Sequence, residues 1–154
     1  MLIAGEGPLK SSLRELAAKL QLHDVVTFAD TPADPRELLE VMDVFVLPHT
    51  REGMSPLVLE AMALGKPVAV SGAGGTFAAV QHNHTGVVFG KGDAEALADA
   101  VLRLVIKPDF SARLVAAARD LVAQKFSIDR MMDETVSLYR KLIGKHKVAV
   151  ESAD

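Results

Sequence analysis

The sequence predicts an α/β protein built on a doubly wound parallel sheet. Short apolar runs typical of buried strands occur at 44–47, 67–71 and 86–89. Segments with apolar residues at helical spacing alternate with them, and loops that contain glycine and polar residues follow the strands directly. Strands that alternate with helices give a parallel sheet, and such sheets bind ligands beyond the carboxyl ends of their strands.

The first 42 residues contain two predicted strand–helix pairs. Residues 1–5 are expected to form a strand that is cut off at its beginning, and leucines at helical spacing predict an amphipathic helix over 8–21. A second strand is predicted at 25–28. The acid-proline-x-acid run at 34–37 is a helix-capping pattern, which predicts a short helix that ends at Met42.

The middle of the chain is predicted to form a strand, a helix and another strand. The strand at 44–47 is followed by a loop, by a helix over 56–64 and by the strand at 67–71. Ser55 fits the N-cap of this helix, a proline fits its first position, and Gly65 fits its end.

The rest of the chain is predicted to be mostly helical. A short helix is expected at 76–81, the last strand at 86–89, and Asp93 is expected to cap the next helix. Three helical faces are indicated by Leu97, Val101 and Leu104, by Leu114, Ala118 and Leu121, and by Ile128, Met131, Met132, Thr135, Leu138 and Leu142. We expect Met131 and Met132 to belong to the hydrophobic core.

Composition limits the possible functions. A chain of 154 residues with 49% apolar residues suits one globular domain. The net charge of −3 predicts no binding of nucleic acid or of an anionic membrane, and the absence of cysteine excludes disulfides and thiol chemistry. No apolar run approaches the roughly 18 residues of a membrane span, and the start of the chain lacks the features of a signal peptide. We therefore expect a cytoplasmic protein without a transmembrane segment, and no metal at His82 and His84.

Two glutamates stand near the start of the middle helix. Glu60 is the one charged residue in the apolar run 56–64, where burial of a carboxylate is costly unless something hydrogen-bonds to it. Glu52 lies in the loop just before the helix N-terminus, the place where anions bind. Two carboxylates around one anion-binding helix end indicate a ligand with both hydroxyls and phosphates.

The segment from 52 to 68 resembles the Glu-x7-Glu signature of retaining glycosyltransferases of family 4 (glycosyl transferases group 1), the large family that includes glycogen and sucrose-phosphate synthases and bacterial mannosyltransferases. The matching residues are Glu52, Gly53, Glu60, Ala61, Gly65, Pro67 and Val68. The glycine turn at 5–7, the loop glycines 74–75 and the C-terminal helix resemble later and earlier parts of the same family. The resemblance implies one half of a GT-B fold, the Rossmann-like C-terminal domain that binds a nucleotide-sugar donor.

The resemblance also implies a role for each matching residue. Glu52 is expected to be catalytic and to hold hydroxyls of the donor sugar, and Glu60 to hold the ribose hydroxyls. Further donor contacts are expected from the backbone of Gly53, Met54, Ser55 and Leu57, and from the turn that contains Gly5 and Gly7. The family transfers sugar without a metal, so we expect no cofactor beyond the nucleoside-diphosphate sugar that serves as substrate.

Part of the family's pattern is missing. The resemblance covers 1–145 as an incomplete donor domain, leaves 146–154 as a frayed tail, and begins at the domain's second strand. The acceptor domain, the first strand and the diphosphate-binding Arg and Lys are therefore expected upstream of Met1. In the implied strand order 3-2-1-4-5-6 the absent strand is central, which predicts self-association through the incomplete sheet. Two functions remain open: the donor-binding half of a glycosyltransferase, inactive by itself, or a non-catalytic nucleotide-binding or interaction domain.

Overall fold

The computed structural model describes residues 1–32, 34–49, 53–72, 75 and 78–151, with side chains as far as residue 143. The chain divides into two compact units, Met1–Val41 and Met42–Asp154.

The first unit is a pair of strand–helix repeats. Its elements are β1 (Leu2–Ala4), α1 (Lys10–Lys19), β2 (Thr27–Ala29) and α2 (Arg36–Val41). β1 and β2 pair in parallel, with Ile3 opposite Phe28. The capping pattern before α2 is confirmed, since Asp34 Oδ1 accepts a hydrogen bond from the Arg36 amide at 2.9 Å.

The second unit is a parallel sheet with four helices. Its elements are β3 (Phe45–Leu47), α3 (Pro56–Ala63), β4 (Val68–Ser71), β5 (Val87–Phe89), α4 (Ala94–Ile106), α5 (Pro108–Lys125) and α6 (Ile128–Glu151). The strand order is β3-β4-β5, all parallel. Leu47 lies opposite Val70, which lies opposite Val88, so the three strands end at one edge.

The core of the second unit surrounds its central strand. All of β4 is buried, because it has a strand on each side and helices over it. α3 packs against β3, β4 and α5, and α4 packs against β4, β5 and α5. The main core cluster consists of Ala69, Val87, Phe89, Ala100, Leu104 and Leu114.

The termination of α3 follows from one glycine. Gly65 has a φ of 75°, a conformation that side-chain-bearing residues rarely adopt. The Gly65 amide donates to the Met62 carbonyl at 3.1 Å and the Lys66 amide to that of Ala61 at 2.9 Å. These two bonds form a Schellman motif, and the predicted end of the helix is confirmed.

The predicted α/β class with parallel strands is confirmed, with element bounds that differ by a few residues. Asp93 also caps α4 as predicted, since its Oδ1 accepts from the Ala96 amide at 2.9 Å. The helix predicted at 76–81 lies partly outside the described residues; Ala78 has 3-10 helical conformation, and residues 79–81 are not helical. None of the described helices has the length and apolar character needed to cross a membrane.

The core assignment of Met131 and Met132 was wrong. Their side chains are 61% and 57% exposed, and every residue of α6 from 128 to 143 is exposed. The apolar spacing correctly predicted a helix. It could not show whether another element covers its apolar face, and no described part of this chain does.

Candidate functional site

The loop between β3 and α3 begins where the sheet presents its carboxyl edge. β3 ends at Leu47, and α3 begins at Pro56. Ligands of open parallel sheets bind at this edge, beyond the strand ends. The predicted position of the loop is therefore confirmed by the register of the strands.

The N-terminal turn of α3 offers backbone amides. Ser55 is the N-cap, as predicted, but its side chain makes no capping hydrogen bond. The Val58 amide is satisfied by the Ser55 carbonyl at 3.1 Å. The Leu57 amide belongs to the first turn, where no intrahelical acceptor exists. Pro56 has no amide hydrogen, so this turn has one donor fewer than usual.

The approach to this turn is accessible. Gly53 is exposed, Met54 and Ser55 are half-buried, and Leu57 is half-buried within the helix. Gly53 has a φ of 141°, and no atom lies within 4 Å of where its side chain would begin. The partial positive charge of a helix N-terminus can attract an anion to such a place.

Glu60 lies in the second turn of α3 between buried neighbours. Val58, Ala61 and Met62 are fully buried, whereas Glu60 is half-buried. No hydrogen bond or ion pair joins its carboxylate to any of the residues described. Helical side chains lean toward the N-terminus, which places this carboxylate over the turn of Pro56 and Leu57. A carboxylate in this position remains able to accept hydrogen bonds from a ligand.

Glu52 falls on residues outside those described, together with its neighbours Thr50 and Arg51. Its predicted place beside Glu60 therefore stays a prediction. The structure groups Gly53, Met54, Ser55, Leu57 and Glu60 on one short segment of the second unit.

Ser71, the last residue of β4, and Gly75, in the loop that follows, contact the loop after β3, and neither was predicted as a site residue. Ser71 is buried, and its hydroxyl donates to the backbone carbonyl of His49. A side chain at Gly75 would begin 3.0 Å from the Met54 nitrogen and 3.2 Å from the Gly53 carbonyl carbon. The signal for Gly75 was its place in a glycine pair after a buried strand, which indicates close backbone approach.

The turn with Gly5 and Gly7 belongs to the first unit. Neither glycine has an atom within 4 Å of where a side chain would begin, so both border open space. The turn is tied to α1 and β2 through Lys10, whose Nζ bonds the Glu6 carboxylate at 2.7 Å and also that of Asp30. The bond to Asp30, with a smaller effect of Glu6, raises the pKa of Lys10 above 10.5. The bond from Lys10 lowers the pKa of Asp30 below 3.8.

The side chains described include no group of three or more His, Asp or Glu residues arranged to hold a metal ion. His82 instead has a structural role, because its Nδ1 accepts a hydrogen bond from the Val88 amide at 3.0 Å. The prediction that the chemistry uses no metal stays a prediction.

A family model and curated relatives both identify this chain as similar to glycosyltransferases. The family model described as glycosyl transferases group 1 matches residues 1–107. The D-inositol 3-phosphate glycosyltransferase of Saccharomonospora viridis is 35% identical over 153 residues, which are 94% of this chain and 35% of that protein. The N-acetyl-alpha-D-glucosaminyl L-malate synthase of Bacillus anthracis is 26% identical over 147 residues, 96% of this chain and 39% of the relative.

Solved structures show the same fold. Sucrose-phosphate synthase from Thermosynechococcus elongatus superposes with a TM-score of 0.83 at 28% identity, over 94% of this chain and 38% of its own. HepE of Anabaena, in complex with UDP-glucose, gives a TM-score of 0.78 at 26% identity, over 88% of this chain and 40% of its own. The chain thus spans between 35% and 40% of these relatives.

Proposed function

Because this chain belongs to the glycosyl transferases group 1 family, we propose that it is the donor-binding half of a retaining glycosyltransferase. The reaction moves a sugar from a nucleoside-diphosphate sugar to an acceptor and keeps the anomeric configuration. The observation that carries the proposal is the first turn of α3, which has no side-chain cap and is followed by a half-buried carboxylate. The UDP-glucose complex of HepE, a protein of the same fold, supports a nucleotide-sugar ligand.

The diphosphate of the donor binds at the N-terminus of α3. The donors assigned to it are the backbone amides of Gly53, Met54, Ser55 and Leu57, and the helix dipole favours negative charge there. When the bond between sugar and diphosphate breaks, charge develops on the leaving phosphate oxygen. Preorganised amides aimed at that oxygen lower the barrier, because they interact more strongly with the transition state than with the bound donor. This step uses no metal ion.

Glu60 holds the ribose of the donor. A ribose presents two adjacent hydroxyls, and an ionised carboxylate has two oxygens that accept hydrogen bonds from both. Glu60 is half-buried, where such bonds are stronger than in water, and it has no competing partner within the described part of the chain. The role explains why a single acid interrupts an apolar helix.

Glu52, by resemblance to the family, binds hydroxyls of the transferred sugar across the same pocket. Its contribution is to fix the sugar while the leaving group departs, since a diphosphate is a good leaving group that needs no protein nucleophile. By the same resemblance, an acceptor-binding domain supplies the other substrate. This chain spans 35–40% of the length of the relatives. The cytoplasmic location stays a prediction.

Nuclear magnetic resonance titration tests the proposal. UDP, UDP-glucose and GDP-mannose are added to the 154-residue chain at millimolar concentrations while the backbone amide signals are followed. We expect shifts concentrated at residues 53–57 and Glu60. If the largest shifts lie elsewhere, or if no nucleotide produces any, the proposed function is wrong.

A pair of matched variants tests the role of Glu60. Glu60→Gln keeps the size and helix propensity of the side chain and removes its charge. A hydrogen bond to a charged group contributes about 1.5–3 kcal/mol, so the affinity for UDP should fall by about tenfold or more. Glu15→Gln, an exposed position on α1, is the control and should bind like the unmodified chain. Equal affinity of the two variants would remove Glu60 from the site.

A further inference from the structure

The loops after β3 and β4 start side by side. The two strands are parallel neighbours with Leu47 opposite Val70, so His49 and Ser71 each follow the register pair by one or two residues. The loop after β3 carries the amides that the proposed function assigns to the diphosphate. The loop after β4 carries no charged side chain among its described residues 72, 75 and 78–80, and the proposed function gives it no role.

A buried hydroxyl joins the two loops. Ser71 is only 4% exposed, and its Oγ donates to the carbonyl of His49. This bond fixes the backbone six residues before the N-cap of α3. A carbonyl that loses its donor in a covered place must find water or move, so the bond resists displacement of the loop.

A close approach of two backbones joins the loops a second time. Gly75 packs on the peptide between Gly53 and Met54, so closely that this peptide would have to move by a few tenths of an ångström to admit a methyl group. The atoms in the way belong to the backbone, so they cannot rotate aside as the end of a flexible side chain could. Gly75 itself is exposed, which separates this contact from the hydrophobic core.

From these two contacts we infer that Ser71 and Gly75 are positioning residues for the donor site. They act through the backbone of His49, Gly53 and Met54 and set the direction of the amides that face the diphosphate. The inference rests on the proposed function for its ligand and on the two contacts for its geometry.

The protein offers a matched control for Ser71. Ser111 is also buried, at 7% exposure, and its hydroxyl donates to the backbone carbonyl of Leu104 at 2.5 Å, between α4 and α5. Ser71→Ala and Ser111→Ala therefore remove the same kind of bond from places of similar burial. A role limited to stability predicts the same behaviour for both variants. A positioning role predicts that only Ser71→Ala changes the donor site.

The first measurement uses the chain without ligand. Backbone amide shifts and hydrogen exchange of Gly53 and Met54 are compared in the unmodified chain, Ser71→Ala, Gly75→Ala and Ser111→Ala. We expect both site variants to move these signals and to speed their exchange, while Ser111→Ala leaves them in place. Unchanged signals in Ser71→Ala and Gly75→Ala overturn the inference, whatever the chain binds.

The second measurement is titration of the same proteins with UDP and GDP. Ser71→Ala should bind about fivefold more weakly than Ser111→Ala, the factor that corresponds to one neutral hydrogen bond. Gly75→Ala should bind more weakly than the unmodified chain. Equal affinities within each pair overturn the inference. If the unmodified chain binds neither nucleotide, the proposed function itself fails, and that result is visible before any variant is examined.

Discussion

At the scale of single residues, the most closely packed of the described glycines is Gly86, just before β5. A side chain there would begin 2.6 Å from Val68 Cγ2, 2.8 Å from Val80 Cγ1 and 3.0 Å from the Val68 carbonyl oxygen. Both valines are buried, and one of them belongs to the central strand. A change of one methyl group at this position therefore acts on the core of the sheet.

Gly86→Ala should lower the free energy of unfolding by about 1–3 kcal/mol, since overpacking of a filled core forces side chains and backbone to shift. Urea unfolding followed by circular dichroism measures the loss. Gly7→Ala is the control, because nothing lies within 4 Å of the new methyl group. A Gly86→Ala protein as stable as the control would show that the space around β5 is larger than described.

At the scale of elements, the first unit is stabilised by an ion cluster of Lys10, Glu6 and Asp30, which joins α1 to the loops after β1 and β2. Lys10 is largely covered, whereas Glu6 and Asp30 are exposed. Each exposed ion pair is weak by itself, but one ammonium here serves two carboxylates on different loops. The cluster holds the turn of Gly5 and Gly7 against the end of β2.

The pKa shifts in this cluster predict how the first unit responds to pH. The pKa of Asp30 is lowered, so its contribution is present above pH 3.8 and is lost as the pH falls through the lower folded value. The pKa of Lys10 is raised, so its contribution is present below pH 10.5 and is lost as the pH rises through the higher folded value. The protection factors of the β1 and β2 amides, which are exchange rates corrected for the intrinsic effect of pH, should therefore be highest between these limits. Lys10→Met should remove this dependence at both ends, and an unchanged profile in that variant would exclude the cluster as its cause.

The sequence predicted elements better than the use of individual groups. The end of α3 was predictable because only a glycine suits a φ of 75°, and the cap of α4 because an aspartate there has a local amide to accept. The lack of a capping hydrogen bond from the Ser55 hydroxyl was not predictable, since an N-cap serine can adopt side-chain rotamers that point toward the helix amides or away from them. The contacts of Ser71 and Gly75 depend on which strands are neighbours, information that no local pattern contains.

At the scale of the whole molecule, the strands form two sheets, β1-β2 and β3-β4-β5. Both pairings agree with the predicted strand order. Among the described residues, β1 pairs only with β2 and β3 pairs only with β4, so each leaves one edge with unpaired backbone groups. The exposed apolar residues of α6 form a second surface that favours association.

The isolated chain is therefore expected to self-associate. Sedimentation velocity over a range of concentrations should show a weight-average mass that rises above the 16.4 kDa of the chain. Added salt should not reverse the association, because the surfaces concerned are backbone edges and apolar side chains. A single monomeric species at high concentration would contradict the prediction.

The isolated chain is also expected to bind donor weakly and to transfer no sugar. The diphosphate-binding Arg and Lys that the resemblance implies match no position among residues 1–154, and each such contact would contribute about 1.5–3 kcal/mol. Loss of both weakens an ordinary micromolar site by roughly a hundred- to ten-thousandfold, to a Kd of about 0.1–10 mM. Calorimetry with nucleoside-diphosphate sugars and a radiolabelled transfer assay measure the two halves of this prediction. Micromolar affinity or measurable turnover would contradict it.

The first turn of α3 limits how mutation can change the donor site. Its proposed phosphate donors are main-chain groups, and a change of side chain does not delete a peptide amide. Proline is the exception, and the chain already carries one at position 56. Variants that accept a new donor, or that resist a diphosphate mimic, must therefore carry changes in the surrounding loops or a further proline. Proline substitution at each of the other positions of 53–57, with nucleotide affinity measured for each variant, shows which of the amides can be removed.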